Sequence, residues 1–78
     1  MIRIRILTPE WSRDIVADAV FLPGTMGEFE VLVNHAPIIS TLSEGKIKWR
    51  VGDDLDSLEI HGGIVRLVNN VMQVCVEV

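Results

Sequence analysis

Two stretches of this chain alternate so strictly that they leave little choice of fold: Ile2, Arg3, Ile4, Arg5, Ile6, and Lys46, Ile47, Lys48, Trp49, Arg50, Val51. Successive side chains of an extended strand point to opposite faces, so a period of two gathers the apolar residues on one side and the cations on the other. A helix, turning about 100° per residue, would scatter both sets around its axis. Each stretch is therefore expected to be a half-buried strand. In the second, Ile47, Trp49 and Val51 should face a core, and Lys46, Lys48 and Arg50 should face solvent.

The rest of the chain repeats this grammar between turn signals. Thr8-Pro9-Glu10 closes the first strand. Residues 14–22 are rich in Val, Ile and Phe and run to Pro23-Gly24, a pair that breaks a ladder and favours a turn, so they are expected to form one second strand. Both parities of that run are apolar, as in a strand buried on both faces or covered by a partner. Extended segments over 28–33 and 38–42 flank Asn34-His35-Ala36-Pro37, and Ser43-Glu44-Gly45 turns the chain again. Gly52-Asp53-Asp54 is a further turn, and Gly62-Gly63 marks a bulge or corner after the alternating Leu58, Glu59, Ile60, His61. The last two strands, 64–68 and 71–78, flank Asn69-Asn70, a pair that tolerates the positive φ of a tight hairpin. Seven or eight strands can be counted in this way and no convincing helix, which predicts an all-β domain, a β-sandwich or flattened barrel, over residues 1–78.

Composition narrows the function. A chain of 78 residues buries only roughly 62% of its unfolded surface, enough for one small domain that gains from a partner covering part of it. It is 49% hydrophobic, too apolar for disorder, yet lacks the run of about 20 apolar residues that a membrane helix needs. Direct membrane insertion is not expected. Seven Lys/Arg against eleven Asp/Glu give a net charge of −4, the wrong sign for binding nucleic acid through its phosphates. No signal peptide follows the N-terminus, and a lone Cys75 excludes an internal disulfide, so a cytoplasmic setting is expected.

Chemistry-bearing residues are sparse. His35, His61 and Cys75 offer no metal-ligand spacing and no nucleophile with its base, so no catalytic, cofactor or metal site is expected. Cys75, between Val74 and Val76, reads as a structural thiol. His61 reads as a sheet-face residue and His35 as the more interesting one, since loops carry function more often than strands. The stretch from Leu22 to Gly27 has two glycines, but Glu28 and Glu30 follow it, so it would repel a phosphate and attract a cationic partner surface.

Residues 22–45, LPGTMGEFEVLVNHAPIISTLSEG, resemble the signature of the epsilon subunit of the F-type ATP synthase in its N-terminal β domain. The likeness runs through Leu22-Pro23-Gly24, Gly27-Glu28-Phe29, Val31-Leu32, His35-Ala36-Pro37, Leu42 and Gly45, and resumes at Gly62-Gly63 and Asn70-Val71. With Ile6 to Glu10 as its opening corner, it covers essentially the whole chain. Glu30, Val33 and Ile64 depart from the family's usual Gly, Pro and Phe. The resemblance implies a two-sheet β-sandwich of about eight to ten short strands at the foot of a rotating central stalk. It also implies the β domain alone, since the helical hairpin of longer members, which restrains rotation and in some binds ATP, has no counterpart in these 78 residues.

What the family does implies two partners. One end of the sandwich would touch the polar loops of the membrane-embedded c-ring, and one face would pack on the gamma subunit. Position by position, Met26, Gly27, Glu28, Phe29 and Glu30 match the ring-contacting loop, and Thr8, His35 and Ser40 match the gamma side. The implied role is a non-catalytic rotor subunit, peripheral on the cytoplasmic face of a bacterial inner membrane, with no cofactor. The alternative from another class is a biotinyl or lipoyl carrier domain, which presents one lysine at a hairpin tip; Lys46 and Lys48 lie within a strand pattern instead. A small hydrolase built on His35 is a third reading, with no motif to supply the histidine's partner.

Overall fold

The computed structural model describes residues 1–78 and contains nine strands and no helix. These are β1 (Ile2–Leu7), β2 (Ser12–Ala17), β3 (Ala19–Gly24), β4 (Gly27–Leu32), β5 (Ile38–Leu42), β6 (Gly45–Val51), β7 (Asp54–Ile60), β8 (Gly62–Val68) and β9 (Val71–Glu77). They hydrogen-bond in one continuous path, β2-β1-β9-β8-β5-β3-β6-β7, with β4 on the other edge of β3. The path bends between β5 and β3, where only Gly24 and Leu42 pair. It thereby doubles into a first layer, β2-β1-β9-β8-β5, and a second, β4-β3-β6-β7. The all-β expectation holds, as does the small sandwich or flattened barrel.

Between the layers lies a cluster of 16 buried residues that contains no polar side chain. The strict alternation of β1 supplies Ile2, Ile4 and Ile6, each at most 2% exposed. β9 repeats the pattern with Met72, Val74 and Val76, and lies parallel to β1, pairing Ile4 with Met72 and Ile6 with Val74. β8 and β9 join through Asn69 and Asn70, whose φ of 50° and 62° are those of a primed two-residue hairpin turn. Gly63 meets the requirement of close approach, because a Cβ there would run into the Cys75 carbonyl oxygen on β9. Glu30, Val33 and Ile64, the three departures from the family pattern, are all exposed, so the core does not register them.

The structure corrects three expectations. Residues 14–22 are not one strand: the chain bends at Asp18, between β2 and β3. The Asp18 amide donates to the Arg50 carbonyl at 2.8 Å, and its carboxylate accepts from the Gly52 amide at 2.8 Å. The inward parity switches there, with Ile15 and Ala17 facing in before the bend and Val20 and Leu22 after it. This is why both parities look apolar, and why two small buried residues, Ala17 and Ala19, flank the bend. Secondly, β3 continues through Pro23-Gly24. The Pro23 carbonyl accepts from the Ser43 amide at 2.8 Å, so the edge on which proline lacks a donor is the gap where the neighbour of β3 changes from β6 to β5. Thirdly, Val51 has the inward parity of Ile47 and Trp49 but is 41% exposed, because it lies at the last pair of β6, beyond the opposing layer.

Trp49 is 3% exposed, with the Arg13 guanidinium of β2 5.5 Å from its ring centroid. This contact joins the layers on the side away from the β5–β3 bend. Replacing Trp49 by Ala should cost about 3–5 kcal/mol, a large share of the roughly 5–15 kcal/mol typical of a native domain. Denaturant titration followed by far-UV circular dichroism checks this, and a midpoint close to the parent's would mean that the ring is not part of the core.

Candidate interaction surface

The residues matched to the ring-contacting loop form the β3–β4 hairpin. Gly24 pairs with Gly27 to close it, Thr25 and Met26 make the turn, and Gly27 has a φ of 125° that few side chains would accept. Met26 projects from the tip, 99% exposed. Period two then divides β4: Glu28, Glu30 and Leu32 point outward, whereas Phe29 and Val31 point to the core. The Phe29 ring lies over Gly24, where a Cβ would meet it at 2.9 Å. Phe29 is thus half-buried and on the opposite face from the two carboxylates, so the apolar part of the exposed tip is Met26. The Glu28 carboxylate is 4.0 Å from Lys48 Nζ of β6, on the same outer face of the second layer.

The hairpin is anchored at its base. The Thr25 amide donates to the Thr41 carbonyl at 3.1 Å, their hydroxyls are 2.9 Å apart, and Ser43 Oγ donates to the Pro23 carbonyl at 3.2 Å. These contacts tie the second layer's hairpin to β5 of the first.

The three positions matched to the gamma side do not form one cluster. Thr8 closes the β1–β2 loop, where its hydroxyl accepts from the Glu10 and Trp11 amides and donates to the Trp11 carbonyl. The registers Thr41–Ile64, Ile64–Cys75 and Cys75–Leu7 put this loop at the same end of the first layer as the hairpin base. His35 lies at the opposite end, exposed, in the loop between β4 and β5. Asn34, at φ 65°, accepts through its amide oxygen from Asn70 Nδ2 at 2.9 Å and donates from its backbone to Asn70 Oδ1 at 2.6 Å. The Asn70 carbonyl in turn accepts from the Arg3 amide at 2.8 Å. Ser40 is between the two ends, half-buried on the inner side of β5, which has no ladder partner beyond β8 at that point.

His61 is in the bend between β7 and β8 rather than on a sheet face, with its Nδ1 3.9 Å from a Glu44 carboxylate oxygen. His35 is at the far end, and Cys75 is exposed on the outer face of β9, so the three candidate chemical groups stand apart. Lys46 and Lys48 are both within β6; the hairpin turns carry Thr25-Met26, Gly52-Asp53 and Asn69-Asn70. The lysine-tipped hairpin of a carrier domain is therefore not found. No helix is long and apolar enough to cross a membrane.

Residues 1–78 match the family described as ATP synthase, Delta/Epsilon chain, beta-sandwich domain. The chain belongs to that family. Among curated relatives of this beta-sandwich domain, it is 35% identical over 78 residues to an ATP synthase epsilon chain of Microcystis aeruginosa, which covers 96% of this chain and 55% of the relative. It is 32% identical over 72 residues to the epsilon chain of Leptospira interrogans, covering 88% and 55%. The chain thus spans about half the length of the curated relatives it matches. Two solved structures share the fold. One is a chain of the Tetrahymena thermophila mitochondrial ATP synthase central stalk and c-ring, with a TM-score of 0.81, 14% identity and coverage of 99% of this chain and 63% of that one. The other is from the Euglena gracilis mitochondrial ATP synthase, with a TM-score of 0.89, 19% identity and coverage of 96% and 49%.

Sequence reasoning about this delta/epsilon-type domain missed a cross-strand pair on the outer face of its first layer. Arg5 and Asp14 are directly opposite on β1 and β2, and the guanidinium grips the carboxylate at 2.9 and 3.3 Å. The hydrogen bond from Arg5, helped by the charges of Arg5 and Arg3 and opposed by desolvation, holds the Asp14 carboxyl below its usual value. The signal available was the antiparallel return of the chain after Pro9. Because the folded-state value is depressed, the pair's contribution to stability is complete above the ordinary aspartate range and is lost as pH falls through the depressed value. An NMR titration should find Asp14 titrating below the ordinary aspartate range, and Arg5→Gln should return it to that range; an Asp14 curve in the ordinary range in the parent would exclude the pair.

Proposed function

We propose that this domain is a non-catalytic subunit of the central stalk of an F-type ATP synthase, coupling the c-ring to gamma during proton-driven rotation. One observation carries the reading: a chain of the delta/epsilon beta-sandwich family has an anionic hairpin, tipped by a fully exposed Met26, projecting from one end of a rigid sandwich. Such a tip suits the polar, basic loops of a ring. Glu28 and Glu30 steer and orient it, and Met26 supplies the contact that sheds water. The domain makes and breaks no bond itself; it transmits a load between two protein contacts.

In this reading residues 26–30 seat the ring, while Thr8, His35 and Ser40 mark the gamma side. The 78 residues act as one unit, peripheral on the cytoplasmic face of a bacterial inner membrane. Exposed ion pairs contribute only about 0–1 kcal/mol each, so attachment depends on the combined surface and weakens as salt rises.

Glu28→Lys tests the ring contact. Glu28 is exposed and its ion pair with Lys48 is long, so the fold should change by within about 0.5 kcal/mol. Reconstituted vesicles should then show weaker proton-driven ATP synthesis and a salt-sensitive loss of ring attachment, with gamma binding retained. If Glu28→Lys couples like the parent at low salt while Thr8 or Ser40 substitutions do the damage, the hairpin is only a turn and the ring contact lies elsewhere.

A further inference from the structure

The outer face of the second layer sorts its side chains by strand. Residues opposite one another in register share a face, so Glu30, Phe21, Lys48 and Ser57 make one row across β4, β3, β6 and β7. Leu32, Ala19, Arg50 and Leu55 make the row beside it. On its other side, Glu28 is opposite Pro23, and Lys46, the next outward position of β6, is opposite Glu59. Along the strands the pattern is simpler. β4 carries the carboxylates Glu28 and Glu30, β3 carries Pro23 and Phe21, and β6 carries three cations, Lys46, Lys48 and Arg50.

These charges are only weakly neutralised within the chain. Lys46 is 3.9 Å from Glu59 and Lys48 is 4.0 Å from Glu28, long contacts between side chains at least 39% exposed, and Glu30 and Arg50 are in no ion pair. Phe21 lies between the acidic and the basic stripe, half-buried, on the face turned away from the core cluster and not part of it. The stripes are self-complementary. A two-fold axis parallel to β3 and just above it turns a second copy over so that β3 lies on β3 and β4 lies on β6, with position along the strands unchanged. Glu28 of one copy then meets Lys46 of the other, Glu30 meets Lys48, and the two Phe21 rings meet on the axis. Symmetry makes each ion pair twice.

We propose that the free domain pairs with a second copy of itself through the outer face of β4-β3-β6, as a two-fold dimer held by Glu28–Lys46 and Glu30–Lys48 contacts around Phe21. Charge complementarity decides the occupant, because the acidic and basic stripes lie on either side of Phe21, one strand away, and one surface supplies both halves of the contact. A polyanion drawn to β6 would lie within one or two strand spacings of Glu28, Glu30 and Glu59 and be repelled. Two copies joined edge to edge through β4 would set Glu28 and Glu30 beside their own counterparts. Three strands spaced about 4.8 Å apart and roughly 20 Å long give a footprint of about 300 Å² a side, so this is a weak, reversible dimer that forms at high concentration. Glu28 and Glu30 also belong to the proposed ring contact, so the dimer and that contact exclude one another. The dimer itself does not rest on the stalk reading.

Sedimentation equilibrium up to millimolar concentration tests it on the parent chain and on three double variants, each confirmed as folded by circular dichroism. These are Lys46→Glu with Lys48→Glu, Glu28→Lys with Glu30→Lys, and, on the first layer, Arg3→Glu with Arg66→Glu, which changes net charge by the same amount as the first. At about 0.1 M salt, charges more than about 10 Å apart are largely screened, so contact rather than net charge decides the outcome. The parent should dimerise reversibly, and about 1 M salt, which shortens the screening length to about 3 Å, should weaken the dimer at least tenfold. Each second-layer variant should associate with itself at least tenfold more weakly, because one sets acid against acid and the other base against base. Mixing those two should restore a one-to-one dimer, and the first-layer variant should stay within about threefold of the parent, since its changes lie on the far side of the sandwich. A parent that stays monomeric, second-layer variants that dimerise like the parent, a mixture that does not associate, or a first-layer variant that dissociates as far as they do would each overturn the proposal. None of these results bears on the stalk reading, since neither gamma nor the ring takes part.

Discussion

The interior of this domain contains no polar side chain, and that makes strand register the constraint on which everything else depends. Slipping β1 by one residue would exchange Ile2, Ile4 and Ile6 for Arg3 and Arg5 in the core. Burying an unpaired guanidinium costs far more than a small domain's whole stability, so such a slip is not a competing fold. The register then passes from strand to strand. β1 lies between β2 and β9, β9 is fixed to β8 by the two-residue turn at Asn69-Asn70, and β8 aligns β5. The first and last strands of the chain are therefore neighbours, and the fold is complete only when both ends are in place.

The same alternation that fills the core fixes what each outer face presents. Once Ile47 and Trp49 point inward, Lys46, Lys48 and Arg50 must share the outer face of the second layer with Glu59 of the adjacent β7 and with Glu28 and Glu30 of β4, one strand away across β3. Once Ile4 and Ile6 point inward, Arg3 and Arg5 must stand on the outer face of the first layer, where only Asp14 is opposite them. Mutual neutralisation on one face and its absence on the other are consequences of which strands pair. Phe29 shows the same logic in the hairpin: its parity with Val31 commits the ring to Gly24 and the core, leaving Met26 as the exposed apolar group beside two carboxylates.

What could be read from the residues alone follows this division. β1 and β6 are legible because each has a clean period of two, β5, β8 and β9 because turn signals bound short runs rich in Ile and Val, and Asn69-Asn70 because its chemistry suits one turn type. The bend at Asp18 is not, since its partners, Arg50 and Gly52, are more than thirty residues away and only pairing reveals them. Pro23 misleads for a similar reason: proline ends a strand unless the missing donor faces a gap, and the gap is created by the change of neighbour from β6 to β5. Val51 obeys its parity but lies past the end of the layer that would cover it. For the candidate site, the hairpin and the His35 loop are legible as segments. That Thr8 shares an end with the hairpin while His35 lies at the other requires the parallel pairing of β1 with β9, a contact between the two ends of the chain.

The proposed stalk role would require the domain to be stiff between its contacts, and both loops at issue are tied across elements rather than left on their own strands. The hairpin belongs to the second layer, yet Thr25 and Pro23 are bonded to Thr41 and Ser43, at and just beyond the end of β5 in the first. The His35 loop follows β4 of the second layer, yet Asn34 is clamped to Asn70 in the β8–β9 turn, whose carbonyl also holds β1 through Arg3. Each loop thus bridges the two layers at one end of a body 26 Å in its longest dimension. Motion of the hairpin relative to the His35 loop must shear the aliphatic core between the layers, and close-packed cores resist such shear because they are not continuously deformable. Stiffness along that axis therefore comes from the same buried rows that set the register, with the polar tethers only fastening the loops to them.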